Sequence, residues 1–202
     1  MAKPPRLWVV AGPNGAGKTT LVSRRLAHRV PVINADEIAA ALPKLASGAL
    51  DELEADRRAI AERERALAVR ASFAVETTLS GNGAVRFMQA AKARGYQVTL
   101  IYVGIDTADL SQMRVGVRVA SGGHAVPVEA IYRRYPDTMA RLPRALELAD
   151  RAYVFDNTGQ ARRFVLSRAG GQVRKIAAEL PRWARAAIPE ALRTGGRSTG
   201  VE

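Results

Sequence analysis

The chain has 202 residues and no cysteine, which excludes disulfide bonds and thiolate metal sites. Its 31 Lys and Arg residues outnumber its 19 Asp and Glu residues, and the resulting formal charge of +12 suits nucleic acids and polyanionic small molecules equally. No apolar run approaches the ~18 residues of a membrane-spanning helix, and the N-terminal residues lack the apolar stretch of a signal peptide. We therefore expect a soluble, cytoplasmic protein.

The aromatic content bears on nucleic-acid binding. Five Tyr and four Phe residues are present, and no stretch alternates basic with aromatic residues as base-stacking segments do. The positive charges are mainly arginines scattered along predicted helices. The sequence therefore predicts solvated helix faces with a few arginines reserved for phosphates, and nucleic acid is not an expected partner.

The stretch from Gly12 to Thr20 matches the phosphate-binding pattern G-x-x-x-x-G-K-[ST] without a mismatch. It lies between an apolar run at 7–11 and a helix expected to begin near Lys18, which is the context that the motif requires. Backbone N–H groups and the helix N-terminus would contact phosphate oxygens. Lys18 would contact the β- and γ-phosphates, and the Thr19 hydroxyl would bind Mg²⁺. The predicted ATP-binding residues are Gly12, Pro13, Asn14, Gly15, Ala16, Gly17, Lys18, Thr19 and Thr20.

Strand and helix patterns alternate along the rest of the chain. Apolar runs predict strands at 7–11, 31–34, 72–76, 97–105, 152–156 and 163–166. Capped or amphipathic segments predict helices at 18–29, 35–42, 51–71, 83–94, 107–120, 127–149 and 173–186. This order predicts the three-layer α/β fold of P-loop NTPases, with a mainly parallel central sheet and helices on both faces.

The same patterns set the domain boundaries. We expect a single P-loop kinase-like domain at 1–188, with a lid around 112–136. The Gly-, Ser- and Arg-rich residues 189–202 are expected to form a disordered tail. The apolar face of the helix at 51–71 is expected to consist of Leu53, Ile60, Leu67 and the alanines.

Two carboxylates follow predicted strands. Asp36 comes after the second strand and Glu76 ends the third, so both are expected beside the phosphate loop, where ligands gather in parallel sheets. Asp36 could accept the proton of an attacking hydroxyl, or it could only complement the N-terminal dipole of a helix that a capping box of Asn34 and Glu37 opens. Glu76 could hold a Mg²⁺-bound water, orient a substrate hydroxyl or be an exposed strand-end residue.

A glycine-rich loop predicts a mobile lid. Gly122-Gly123 would let the segment close over phosphates, while Arg118 and Arg133-Arg134 would neutralise the transferred group. The alternative for each arginine is a solvated surface position. His124 is expected to be a loop residue or a substrate contact rather than a metal ligand, because the sequence has no cluster of His or Cys residues to complete a metal site.

Other classes of P-loop protein fit less well. The N-K-x-D motif with which GTPases read the base is missing, and Asp156-Asn157-Thr158 shares only a position after a strand. Leu79–Gly83 resembles the L-S-G-G-Q signature of ABC-type ATPases but lies too early in the chain. The residues leave two functions open: a small-molecule kinase, and a regulatory or nucleic-acid-associated ATPase. For the second, DNA or RNA would stimulate ATP hydrolysis.

In order and spacing, four stretches resemble the zeta-toxin family of P-loop kinases, in the short form often labelled as predicted ATPases. They are Gly12–Thr20, Asn34–Ile38, Phe73–Gly81, and Arg118 through Gly122–Pro127 to Arg133–Pro136. Together they cover about residues 7–156. The first is common to many families, whereas the other three in this order are much more specific.

The resemblance implies an ATP- and Mg²⁺-dependent phosphotransferase. In the toxins of this family the acceptor is the 3′-hydroxyl of a UDP-N-acetyl amino sugar, and the acceptor implied here is UDP-N-acetylglucosamine-like. An antitoxin protein is a further partner that the resemblance implies, although no residue of the sequence identifies one.

Site residues carry over at matching positions. The resemblance implies that Lys18 and Thr19 bind the phosphates and Mg²⁺ and that Asp36 is the general base. Glu76 and Thr78 would hold the acceptor sugar. The implied phosphate-clamping arginines are Arg118 and Arg134, with Arg114 and Arg133 as neighbours.

Overall fold

A computed structural model describes residues 3–45 and 51–194. It contains a seven-stranded sheet in the order β2-β3-β1-β4-β5-β6-β7. The strands are β1 (Arg6–Ala11), β2 (Val32–Ile33), β3 (Phe73–Thr77), β4 (Gln97–Gly104), β5 (Arg151–Asp156), β6 (Arg163–Ala169) and β7 (Gln172–Ile176). The first five are parallel, and β6 and β7 continue the sheet as antiparallel strands. The predicted α/β P-loop fold with a mainly parallel sheet is confirmed.

Eight helices connect and cover these strands in the described residues. They are α1 (Lys18–Arg25), α2 (Ala35–Ala41), α3 (Glu52–Ala68), α4 (Asn82–Ala93), α5 (Ala108–Ala120), α6 (Val128–Leu148), α7 (Arg182–Ala187) and α8 (Glu190–Thr194). Side-chain caps define three of their starts, because Asn34, Asp51 and Thr107 accept hydrogen bonds from the first turns of α2, α3 and α5. No helix of the described chain combines the length and apolarity needed to cross a bilayer.

The strands present alternate residues to two cores. Leu7 and Val9 of β1 belong to the larger core, which α3, α4, α6 and α7 cover. Val10 belongs to the smaller core, which it shares with Leu21 and Val22 of α1. Strand alternation therefore places helices on both faces of the sheet, as predicted.

The C-terminal region differs from the predicted helix at 173–186. Its first part is strand β7, which pairs with β6 through a turn at Gly170 and Gly171, whose φ angles of 58° and 77° suit glycine. The helix α7 begins only after Pro181. Because alanine, glutamate and arginine favour helices, the local composition concealed the strand. The predicted tail is also partly wrong, since Glu190–Thr194 is helical; residues 195–202 lie outside the described residues.

Three local predictions need correction. The buried face of α3 consists of Ala55, Ala59 and Leu67, whereas Leu53 is 64% and Ile60 58% exposed. The helix predicted at 18–29 ends at Arg25. The N-cap Asn34 accepts its hydrogen bond from the backbone N–H of Asp36 rather than from that of Glu37, so the expected capping box does not form in that way.

Candidate active site

Glycines shape the loop between β1 and α1. Gly12, Gly15 and Gly17 have φ angles of 143°, 69° and 87°, a region that residues with a Cβ rarely occupy. A Cβ on Gly12 would lie 2.0 Å from the carbonyl oxygen of Val103 on β4. The loop therefore needs glycine both for its turns and for its close approach to the neighbouring strand.

Lys18 is buried beneath this loop at the start of α1. Its Nζ donates to the carbonyl oxygen of Pro13 over 2.9 Å. Burial lowers the pKa of Lys18, because desolvation disfavours the ammonium form. Neighbouring charges act on this pKa as well, Glu76 and Asp36 raising it and Arg118 and Arg134 lowering it. The predicted lid arginines therefore lie near enough to Lys18 to act on it electrostatically.

Thr19 and Glu76 meet beside the loop. The Thr19 hydroxyl donates to Glu76 Oε1 over 2.8 Å, and the Asn34 side-chain amide donates to Glu76 Oε2 over 3.3 Å. Glu76 is buried, so of the alternatives left open by the sequence the exposed strand-end position is wrong. Burial raises the pKa of Glu76, while Lys18 and the hydroxyl of Thr19 oppose that rise.

Asp36 lies in the first turn of α2 with its side chain exposed to solvent. In the described part of the chain its carboxylate forms neither a hydrogen bond nor a salt bridge. Its charge nevertheless affects both Lys18 and Glu76. Asp36 is therefore close to the phosphate loop, at the helix start that the sequence predicts.

Lys18, Asn34, Asp36 and Glu76 line one cavity of about 630 Å³. It contains Lys18 and the residues that follow β2 and β3, so it opens at the carboxyl ends of these strands, where ligands of parallel sheets bind. Residues of α3 and α4 form the opposite wall. From that wall Ile60, Arg63, Arg86 and Phe87 contribute side chains.

Thr78 lies in the same cavity and is fixed from two sides. Its carbonyl oxygen accepts a hydrogen bond from the hydroxyl of Thr138 on α6. Its own hydroxyl lies 2.8 Å from that of Ser80. The backbone at the end of β3 is thereby attached to the helix that carries Arg134.

The lid arginines lie in different surroundings. Arg134 lines the cavity, whereas its neighbour Arg133 is exposed outside it. Arg118 donates to the carbonyl oxygen of His124 over 2.7 Å, which holds the lid loop against α5. His124 is not part of the cavity lining, and its Nε2 lies 3.8 Å from Glu52 Oε1. A direct role of His124 in substrate binding stays a prediction.

A second cavity, of about 560 Å³, lies between α6 and α7. Its lining is mainly apolar, with Tyr135, Met139 and Trp183 as its largest apolar side chains. It contains no residue of the phosphate loop and neither Asp36 nor Glu76. The first cavity is therefore the candidate active site.

The model of the family described as Zeta toxin matches residues 1–169. The chain belongs to the Zeta toxin family. A relative from Haemophilus influenzae, named only as an uncharacterized protein, is 35% identical, with 64% of this chain and 97% of the relative covered. Family membership makes the protein an ATP-dependent P-loop kinase, that is, a phosphotransferase.

Solved structures agree with the fold. A crystal structure of AvrRxo1-ORF1 and AvrRxo1-ORF2 with ATP has a TM-score of 0.68 at 18% identity, covering 98% of this chain. This chain spans 66% of that one, slightly less than two thirds. The structure of the PezAT toxin–antitoxin system of Streptococcus pneumoniae has a TM-score of 0.59 at 17% identity, with 82% of this chain and 72% of that chain covered.

Three polar residues of this Zeta toxin family member brace the phosphate loop, a role that the sequence did not predict for any of them. Ser111 on α5 donates from its hydroxyl to the Asn14 carbonyl over 2.6 Å. Asn157, just after β5, donates from its side chain to the Ala16 carbonyl over 2.9 Å. Arg114 donates to the Asn157 carbonyl over 2.5 Å, so it supports the loop rather than joining the cavity lining. A polar residue directly after a strand was the one available signal for Asn157.

Proposed function

We propose that this kinase transfers the γ-phosphoryl group of ATP to a hydroxyl of a small molecule in the 630 Å³ cavity, with Asp36 as general base. The observation that supports the proposal most directly is that Asp36 lines the same cavity as Lys18 while its carboxylate stays exposed and unbonded among the described residues. A base must reach the hydroxyl proton, and an uncommitted carboxylate beside the phosphate loop can do so. A cytoplasmic site of action is part of this proposal.

In the proposed step, the acceptor hydroxyl gives its proton to a carboxylate oxygen of Asp36 as its oxygen bonds to the γ-phosphorus. The bond between that phosphorus and the bridging oxygen breaks, and ADP leaves. Lys18 and the phosphate loop hold the β- and γ-phosphates, while Arg118 and Arg134 approach the oxygens on which negative charge accumulates. The effects of both arginines on the pKa of Lys18 support this arrangement.

The residues fit a magnesium ion. The Thr19 hydroxyl and the Glu76 carboxylate are oxygen ligands of the kind that Mg²⁺ prefers, and they lie 2.8 Å apart beside the phosphate site. Within residues 3–45 and 51–194 no cluster of three or more His, Cys, Asp or Glu residues could enclose a metal ion by itself. This agrees with Mg²⁺, which protein kinases and ATPases bind through few carboxylates together with nucleotide phosphates and water. Bound there, Mg²⁺ would neutralise phosphate charge.

The acceptor that we propose is a sugar nucleotide of the UDP-N-acetylglucosamine type. The cavity wall formed by α3 and α4 offers cations and an aromatic ring, with the guanidinium carbon of Arg63 lying 5.7 Å from the centroid of Phe87. Among the described residues, buried Arg63 Nε has no hydrogen-bond partner, and burial lowers the pKa of Arg63 against the opposing effect of Asp56. A ligand with a diphosphate and a ring would satisfy the guanidinium groups and cover the exposed Ile60.

We further propose that an antitoxin protein regulates this kinase. The support is that the solved structures with similar folds include AvrRxo1-ORF1 together with AvrRxo1-ORF2 and the PezAT toxin–antitoxin system. Induced expression of the wild-type chain should then slow bacterial growth, whereas the matched variant Lys18→Ala should not. Equal growth of the two strains would contradict a toxic kinase activity.

The decisive experiment incubates the purified protein with ATP, Mg²⁺ and a metabolite pool that contains UDP-N-acetylglucosamine. Mass spectrometry should detect a sugar nucleotide heavier by one phosphate. The Asp36→Asn variant should bind ATP normally but transfer phosphate about 10²–10⁴-fold more slowly, because general base catalysis is lost. Unchanged transfer would remove Asp36 as the base.

The other outcomes separate the parts of the proposal. Phosphorylation of a different metabolite would leave the kinase mechanism standing and remove only the sugar nucleotide. ATP hydrolysis without any new phosphorylated metabolite would favour the regulatory ATPase that the sequence left open.

A further inference from the structure

Among residues 3–45 and 51–194, one face of the sheet stays partly exposed over β5, β6 and β7. In β5, Ala152, Val154 and Asp156 are buried, whereas Arg151 and Tyr153 on the opposite face are exposed and Phe155 is half-buried. Because side chains alternate along a strand, these last three share one face. The side chain of Asp156 contacts Trp183 of α7, so this face points away from α7.

The strands β6 and β7 extend the same face. Phe155 pairs in register with Phe164 on β6, and Tyr153 pairs with Ser167, which in turn pairs with Lys175 on β7. A bulge after Val154 lets the consecutive residues Val165 and Leu166 both be buried and leaves Phe164 outside the core. The open face, as we call this surface, consists of Arg151, Tyr153, Phe155, Arg162, Phe164 and Lys175.

The aromatic rings of the open face do not contribute to either core. The buried residues that β5 and β6 supply to the larger core are Ala152, Val154, Val165 and Leu166. In the part of the chain that the structure describes, the smaller core on the open-face side of the sheet takes no residue from β5, β6 or β7. One exposed ring, Tyr153, and two half-buried rings, Phe155 and Phe164, that pack in neither core call for a partner that uses them.

A cation lies within 6 Å of the centroid of two of these rings. The guanidinium carbon of Arg162 lies 5.8 Å from the centroid of Phe155, and Lys175 Nζ lies 5.6 Å from that of Phe164. The two phenyl rings contact each other edge to face, with centroids 6.2 Å apart. Tyr153 is 38% exposed and lies two residues from Phe155, which corresponds to about 6.6 Å along a strand.

The charge of this region is strongly one-sided. From Arg151 to Ala177 the basic residues are Arg151, Arg162, Arg163, Arg168, Arg174 and Lys175. The only acidic residue of this range is Asp156, which is buried on the other face and accepts hydrogen bonds from Arg163. No carboxylate from these strands therefore opposes an anion on the open face.

We propose that the open face binds single-stranded nucleic acid. A flexible polyanion with unpaired bases matches an array of rings flanked by cations, because bases stack on the rings while phosphates contact Arg and Lys side chains. The rings follow one another at a spacing that an extended strand of nucleotides can adopt. This activity is separate from the kinase reaction, since no residue of the open face lines the candidate active site.

The test measures binding of fluorescent oligo(U) and oligo(dT), each about 15 nucleotides long, by fluorescence anisotropy. Tyr153→Ala should raise Kd about tenfold, because one stacking contact is lost, while Tyr153→Phe should retain the wild-type Kd. The double variant Arg162→Ala/Lys175→Ala should reduce the slope of log K against log salt by about 1.4, or about 0.7 for each lost cation.

The matched control is Arg57→Ala, which removes an exposed arginine on α3, a helix packed at the β2 edge of the sheet. It should leave Kd and the salt slope unchanged. All variants should keep the wild-type melting temperature and ATP affinity, so that weaker oligonucleotide binding cannot reflect unfolding.

Three results would overturn the proposal. The first is failure of the wild-type protein to bind either oligonucleotide at low salt. The second is an equal loss of affinity in Arg57→Ala, which would mean that only overall charge matters. The third is binding of polyglutamate that competes with the oligonucleotides and is as tight for Tyr153→Ala as for wild type, which would make the open face a surface for acidic proteins.

Discussion

Burial determines how the carboxylate of Glu76 behaves. Away from water its charged form is disfavoured, and the hydroxyl of Thr19 and the ammonium of Lys18 compensate only in part, so its pKa lies above the ordinary value. Deprotonated Glu76 accepts hydrogen bonds from both Thr19 and Asn34 and supports the charge on Lys18. A proton on Glu76 would remove its negative charge and one of its acceptor oxygens, and would so weaken these functions together.

The pH profile of phosphate transfer should therefore have an acidic limb above the range of an ordinary glutamate. As pH falls through the raised pKa of Glu76, the side chain gains a proton and kcat/KM declines; as pH rises, the carboxylate and the activity return. Steady-state kinetics across this range would measure it. The isosteric Glu76→Gln variant should be less active at every pH and should lack this limb. Persistence of the same limb in Glu76→Gln would assign it to another group.

At the scale of elements, α3 shows where periodicity misleads. Leu67 and the small alanines pack inward as predicted, whereas Leu53 and Ile60 do not, and Ile60 is exposed toward the cavity. Ala55 and Ala59 allow α3 to approach its neighbours closely, which a count of large apolar side chains cannot reveal. The exposure of Ile60 is instead consistent with a role in ligand contact.

A pair of substitutions in α3 tests this assignment. Leu67→Ala should lower the free energy of unfolding by about 2–5 kcal/mol, because a side chain that is 1% exposed leaves a cavity. Ile60→Ala should change it by less than about 0.5 kcal/mol, since most of that side chain is already in water. Urea denaturation would compare the two. A loss in Ile60→Ala as large as in Leu67→Ala would mean that Ile60 packs in the core.

For the whole molecule, the sequence was sufficient for the parallel sheet and for the position of the phosphate loop. Strong alternation of strands and helices predicts the first, and the second follows from a motif whose glycines and lysine are contiguous. The strand predicted at 163–166 is found as β6, whereas β7 was missed because the segment 173–186 has a helix-forming composition. The open face escaped detection because its rings and cations come from three strands, and only pairing of these strands brings them together.

The bracing of the phosphate loop is likewise a property of the whole molecule. Asn157 is 141 residues from Ala16, and Ser111 is 97 residues from Asn14, so their hydrogen bonds exist only in the folded chain. They attach the loop to the end of β5 and to α5. Because ATP would bind only when this assembly is intact, nucleotide binding and global stability should be coupled.

Saturating ATP should therefore raise the melting temperature. At an ATP concentration of 100 times Kd, binding stabilises the native state by about 2.7 kcal/mol, which corresponds to about 5–11 °C for a domain of this size. The Lys18→Ala variant should lose this shift in melting temperature.

The Asn157→Ala variant should keep its kcat but bind ATP about 2–12-fold more weakly, which is the cost of one hydrogen bond. It should therefore need correspondingly more ATP for the same shift in melting temperature. Differential scanning fluorimetry over an ATP series would measure both, with Asn82→Ala, which loses only an exposed bond from Arg141, as the matched control. An ATP response of Asn157→Ala identical to that of Asn82→Ala would mean that the loop holds its shape without this distant bond.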